Sequence, residues 1–435
     1  MQLAVMIRAG WLLGLAAGLA IQGARAADQA PVTVTYKHVG VGSCASTTCH
    51  GKVAPDTSSQ NHVRLDEYKT WHQLDLHAKA YSDLDGPHGR SIAVKLGLAS
   101  ARVPECLDCH TDNVPRERQA FKFRIEDGVG CEACHGGAEK WLETHAVRSP
   151  SHADNVRNGM TPLELAWQRA EVCSTCHVGT PTKYVTHQMY GAGHVRLTFD
   201  LEWFSANEPP HYDLANDRFL QHPARIDLWV AGQLAAAERY LQLVQTRLTQ
   251  PASLFPQLAL YDCQSCHHST DDIRWTSSRA GQGIAPGTVR LQKTHLLTLQ
   301  ALAEAVGSPA TANDLAGLRQ ALVRAGQTDA ESARLAAAKA IEWIHAHQDW
   351  ASRKFTVAEQ VAIRRTLLSY AASDEGSDYI VAEQLVLSID SVSDALGDRE
   401  AKKAPLNELF AAINKSATFA PSRFADVARK VRGQF

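Results

Sequence analysis

The chain has 435 residues, with 44 Lys and Arg set against 46 Asp and Glu and a formal net charge of −2. That balance, and the lack of any basic stripe, excludes a protein held by charge to nucleic acid or to a lipid surface. Beyond the N-terminal segment no apolar window approaches the length needed to cross a bilayer.

Residues 1–26 carry Arg8, an apolar run from Ala9 to Ile21 and the triplet Ala24-Arg25-Ala26. These are the basic, apolar and small-residue parts of a secretory signal peptide, with cleavage expected after Ala26. An uncleaved N-terminal anchor is the other reading of that segment. The expectation is a periplasmic chain with no transmembrane span once the signal is removed. Residues 27–43 are polar, and the alternating run VTVTYKHV predicts one short strand. His38 lies in it and reads as solvent-facing.

All ten cysteines fall into five pairs, and the second Cys of every pair is followed by His. Four pairs are C-x-x-C-H: Cys106/Cys109/His110, Cys131/Cys134/His135, Cys173/Cys176/His177 and Cys263/Cys266/His267. The first pair, Cys44/Cys49/His50, has a longer spacing. C-x-x-C-H is the attachment signature of a c-type haem: two thioethers fix the porphyrin edge and the adjacent His reaches the iron. Zinc sites and redox dithiols also use C-x-x-C, but neither needs that His or five copies. Haem c with its iron is therefore expected at the four regular motifs, and a fifth at Cys44/Cys49. A small disulfide is the alternative for that longer pair. Once Met1 and Met6 leave with the signal only Met160 and Met189 remain, while fifteen of the twenty His lie outside the motifs. The second axial ligands should thus be mostly histidine, which gives low potentials.

The run Glu67–Leu84 reads as one helix with Trp71, Leu74, His77 and Tyr81 on a shared face, which makes His77 a candidate distal ligand. His72 lies off that stripe, and His62 and His88 read as loop residues. Residues 100–150 hold two motifs so close together that neither interval can build a core, so haem must pack on haem. The run AEKWLETH reads as a helix ending in His145, a second candidate, with His152 in a loop beyond it. Thr161-Pro162-Leu163-Glu164 reads as a capping box that starts a helix delivering Cys173. His187 and His194 follow as further candidates, with Met189 between them. In the aromatic, Pro-punctuated stretch 197–222, His211 and His222 read as surface or packing residues. Ile226–Leu248 is a long amphipathic helix with a seam of Val230, Leu234, Ala237, Leu241, Val244 and Leu248. His295 follows the last motif and completes the distal candidates.

Beyond about residue 297 cysteine disappears, alanine is dense and helices dominate. Thr328/Glu331 and Thr356/Glu359 read as capping boxes, and Pro405 and Pro421 punctuate two final helices. His345 and His347 lie two apart on a helix and make a poor chelate. The expected fold class is mainly α: a multihaem cytochrome c core with little regular strand, then a C-terminal helical bundle. The division expected is 1–26 signal, 27–296 multihaem domain and 297–435 helical domain.

Residues 40–300 resemble the multihaem c-type cytochromes of the c-552/c-554 family. The resemblance is carried by VGSCASTTCHG at 41–51, LDLHAKA at 74–80, GVGCEACHGG at 128–137, THQMYGAGHVRL at 186–197 and YDCQSCHH at 261–268. It implies a mostly helical fold wrapped around closely stacked haems, several with two histidines, and points to His77, His145, His187 and His194 as distal ligands. That family includes tetrahaem carriers, from which this chain departs by one extra site and by its C-terminal bundle. The function expected is electron transfer between periplasmic or membrane-bound redox proteins through five haems. The alternative is a periplasmic oxidoreductase acting on a small nitrogen or sulfur compound at one five-coordinate haem. The chain has no C-x-x-C-K motif, which counts against the nitrite-reductase kind.

Overall fold

The computed structural model describes residues 36–56, 63–147, 151–211, 223–249, 256–268, 285 and 287–435. The expected signal peptide, His62 and His222 lie outside the described residues. The fold is mainly α, and the only β features among the described residues are three isolated bridges.

Short helices build the cysteine-bearing part: α1 (Glu67–Leu74), α2 (Ala80–Asp83), α3 (Pro87–Lys95), α4 (Pro104–His110), α5 (Cys131–His135), α6 (His152–Arg157), α7 (Ala166–His177), α8 (His187–Ala192) and α9 (Leu201–Asn207). Longer ones follow: α10 (Arg225–Arg247), α11 (Thr294–Val306), α12 (Pro309–Ala325), α13 (Ala330–Ala346), α14 (Val357–Ala371), α15 (Tyr379–Ala395), α16 (Lys403–Ala412) and α17 (Pro421–Val431).

Apolar packing is thin upstream of α7. A cluster of Leu84, Ala93 and Ala101 is the separate core there. Polar latches do much of the holding. The buried Glu132 carboxylate accepts the amides of Val39 at 2.8 Å, Gly40 at 2.7 Å and Ala138 at 2.7 Å. It ties the segment before the first motif to the third. Gly40 is required at this crossing: its φ is +88°, and a Cβ would lie 2.5 Å from the Lys122 carbonyl oxygen.

From Ala166 to Val431 one apolar cluster is continuous. Its axis is α10, which packs on α7, α9, α11, α13 and α15. The expected seam is buried, but so are Trp229, Ala231, Ala235 and Ala236 on the other faces. A helix buried on every side needs neighbours on every side, and the C-terminal helices supply them. Residues 35–435 form one compact unit.

Several local expectations are corrected. Glu67–Leu84 is not one helix. Asp75 is extended (φ −83°, ψ 131°), because its buried carboxylate accepts the His77 amide at 2.9 Å and caps a 3-10 turn, Leu76–Lys79. The AEKWLETH run coils through successive turns without forming a helix. His38 is 6% exposed, not solvent-facing, and its Nδ1 lies 2.6 Å from Asp112. His88 and His152 lie on α3 and α6, not in loops. The Thr161 box does not form: α7 begins at Ala166, and Glu164 bonds His152 instead. At α13 the cap is Asp329, one residue past Thr328. The Thr356/Glu359 capping box opens α14 as expected.

Candidate haem sites

Three motifs are the last turns of helices. Cys106–His110 closes α4, Cys131–His135 is α5, and Cys173–His177 closes α7. On a helix, residues three apart share a face, so each pair of thiols points the same way. At the other two motifs tight turns do the same work. The amide of His267 donates to the Cys263 carbonyl at 2.8 Å, and that of His50 to the Cys44 carbonyl at 3.1 Å. None of the ten cysteines is in a disulfide.

Each motif histidine is opposed by a second histidine. The ring centroids are 6.1 Å apart for His50/His145, 6.1 Å for His177/His77, 6.4 Å for His110/His194, 6.3 Å for His135/His211 and 6.2 Å for His267/His187. Two metal–imidazole bonds of about 2 Å each, plus the inner halves of two rings, add up to roughly 6 Å. The gaps therefore fit one iron between each pair. The pairs differ in relative ring orientation: 12° for His50/His145 and 31° for His187/His267, against 85°, 89° and 82° for His77/His177, His110/His194 and His135/His211.

Hydrogen bonds fix which nitrogen is presented. Nδ1 of His50 lies 2.9 Å from Glu67, and Nδ1 of His77 lies 3.0 Å from Asp75. Those of His110, His145 and His194 meet the carbonyls of Ala80, Trp141 and Val195 at 2.9, 3.2 and 2.7 Å. That leaves Nε2 for a metal, the usual division of labour in a histidine that binds one. Burial holds His135 and His177 down to about 4, and it lowers His145 and His194 as well, keeping the imidazoles in the neutral form that ligates. The bonds to Glu67 and Asp75 raise His50 and His77. Asp75, His77 and Glu208 form an acidic cluster around one ring. We read it as outer support for the His77 ligand.

Four of the five expected distal residues, His77, His145, His187 and His194, stand opposite a motif histidine. His295 does not. It is half-buried, its Nδ1 lies 3.3 Å from the Gln233 side-chain oxygen, and desolvation pushes it down to about 4. His211 takes the remaining place, opposite His135. The sequence reads it as a surface or packing residue, and no pattern marks it: it follows Pro209 and Pro210 in irregular chain, outside any helical stripe. Neither Met160 nor Met189 stands among these histidine pairs.

Thiols from different motifs abut. Cys44 lies beside Cys131, and Cys109 beside Cys176, close enough for each thiol to shift the other's ionisation. The neighbouring Cys109 thiol, and then the Lys183 ammonium 3.3 Å away, lower the Cys176 thiol. Burial pushes Cys173 up to about 12, and Cys134 is also raised, by burial and then by the charge of Cys173. Cys263 and His177 line one pocket with Tyr190, Arg196, Tyr240 and His295. The residues thus fit porphyrins: paired imidazoles across iron-sized gaps, thiols on one face, and apolar neighbours such as Leu76 (74% exposed) and Val195 (68%) beside ligand positions.

Residues 43–136 match the family described as cytochrome c554 and c-prime. The match spans the motifs at Cys44, Cys106 and Cys131. No curated protein and no solved structure matches the chain. Over that segment the chain is similar to the c-type cytochromes, a family that implies covalently bound haem c with its iron.

Proposed function

We propose that this c-type cytochrome is an exported multihaem electron carrier, with five haems each held between two histidines. The observation that carries this reading is the pairing of every motif histidine with a second histidine at 6.1–6.4 Å. An iron ligated on both faces has no position for a substrate, which favours a carrier over a catalyst. The haems supply one-electron chemistry, and the chain sets their spacing, ligands and surroundings.

The cysteines Cys44, Cys49, Cys106, Cys109, Cys131, Cys134, Cys173, Cys176, Cys263 and Cys266 attach the porphyrins in this reading. The thiol contacts give the spatial order. The Cys44/Cys49 site adjoins the Cys131/Cys134 site, and the Cys106/Cys109 site adjoins the Cys173/Cys176 site. Cys134 lies close enough to Cys173 for their charges to interact, joining the two couples. The shared cavity brings the Cys263/Cys266 site to His177. Electrons would then cross a chain whose order in space is not its order in sequence.

Residues 1–26 act as a cleaved signal in this reading, and the protein works in the periplasm between soluble or membrane-bound redox proteins. Among the described residues no helix is long and apolar enough to cross a membrane. We keep the division into 27–296 and 297–435 as one of content, haem attachment first and helical support second. The oxidoreductase alternative needs one iron open on its distal side, and no site here favours it. The test is exposure of the reduced, purified protein to carbon monoxide. The visible spectrum should not change, whereas a shift of one haem's worth of absorbance would mark an open iron.

A further inference from the structure

In a bis-imidazole site the nitrogen turned away from the metal is the protein's means of setting ligand basicity. The sites differ at that nitrogen. His110 and His194, which share one site, meet only neutral acceptors, the carbonyls of Ala80 at 2.9 Å and Val195 at 2.7 Å. His50 faces Glu67 Oε2 at 2.9 Å, and His77 faces Asp75 Oδ1 at 3.0 Å. Asp75 is 5% exposed and the Glu67 side chain 17%, so water screens neither charge well. The backbone is shaped for the purpose at Asp75, where the break between α1 and the 3-10 turn turns this carboxylate back onto the His77 ring. Glu208 adds a second carboxylate at the same ring. At Glu67 the second carboxylate oxygen accepts the Leu65 amide at 3.0 Å, which holds the group in place.

We propose that Glu67 and Asp75 set redox potentials. Each carboxylate draws the Nδ1 proton towards itself, which makes the opposite nitrogen a stronger donor to iron. A stronger donor, with a negative charge behind it, stabilises the oxidised iron over the reduced one. The sites of Cys44/Cys49 and Cys173/Cys176 are therefore lower in potential than that of Cys106/Cys109. The two lowered sites are separated by the Cys131/Cys134 site, so an electron entering at Cys44/Cys49 meets unequal steps along the chain. This inference rests on the five-site reading above.

The test is a redox titration of the full-length protein, followed by visible and electron paramagnetic resonance spectra, beside Glu67→Gln and Asp75→Asn. Both substitutions keep size and polarity and remove the charge. In each variant one haem should titrate at a higher potential. Its oxidised-to-reduced ratio at a fixed potential should fall at least tenfold, about 59 mV for a one-electron couple. All low-spin signals should persist. Unmoved potentials with the low-spin signals intact would overturn the proposal. So would conversion of the haem to high spin, which would make the carboxylates mere props for the ring. Fewer than five haems in the unaltered protein, counted by pyridine haemochromogen, would sink the five-site reading instead.

Discussion

An imidazole becomes an axial ligand when one nitrogen is oriented by a partner and the other is aimed across a gap of the right width. His211 meets the second condition opposite His135, and His295 does not meet it. His211→Ala should turn one low-spin haem high-spin, as should His77→Ala, while His295→Ala should leave every haem low-spin. Absorption spectra of the ferric proteins check all three. His295 has a separate pH signature. Burial holds it at about 4 against an ordinary 6.5, so between those values the unfolded chain binds a proton there and the folded chain does not. Its contribution to stability is fully present above pH 6.5 and is lost as pH falls towards 4. At about 1.4 kcal/mol per unit this is on the order of 3 kcal/mol. His295→Gln should flatten that part of the stability profile, measured by denaturant unfolding of holoprotein at pH 5 and pH 7.5. An unchanged profile would assign the pH dependence elsewhere.

At the scale of elements, α10 crosses close against α9. Gly232 lies so near Leu201 that an added Cβ would sit 2.6 Å from the Leu201 Cβ. Gly232→Ala should therefore cost about 1–3 kcal/mol by overpacking, read as a lowered denaturation midpoint. How far the elements were legible in the sequence follows from the kind of force that makes them. α10 and the cap of α14 rest on periodicity and local hydrogen bonds, which a sequence displays. The interruption at Asp75 rests on a buried carboxylate turned to the His77 ring, and the helical pattern through Leu74 and His77 concealed it. Nor does sequence carry the partner of His135, because irregular chain after two prolines has no period to read. The motifs themselves were legible, since covalent chemistry fixes their spacing.

Across the whole molecule, the C-terminal helices complete a core that begins before them. Trp229, Leu234 and Leu241 of α10 are fully buried in one cluster with residues of α11, α13 and α15. Deleting residues 297–435 would expose that helix on several sides, and the truncated chain should be insoluble or lose its cooperative unfolding. A soluble, cooperatively folding fragment would mean that the haem-bearing part stands alone.

The measurement that tests the central claim most directly is quantitative electron paramagnetic resonance of the ferric protein. In a low-spin bis-histidine haem the angle between the two imidazole planes governs the anisotropy of the signal. Near-parallel rings give ordinary rhombic spectra, and near-perpendicular rings give spectra with a large maximum g-value. The angles of 12° and 31° at two sites and of 82–89° at three predict five low-spin haems per chain, two of the first kind and three of the second. A high-spin signal amounting to one haem per chain would contradict it, because an iron would then lack its second histidine.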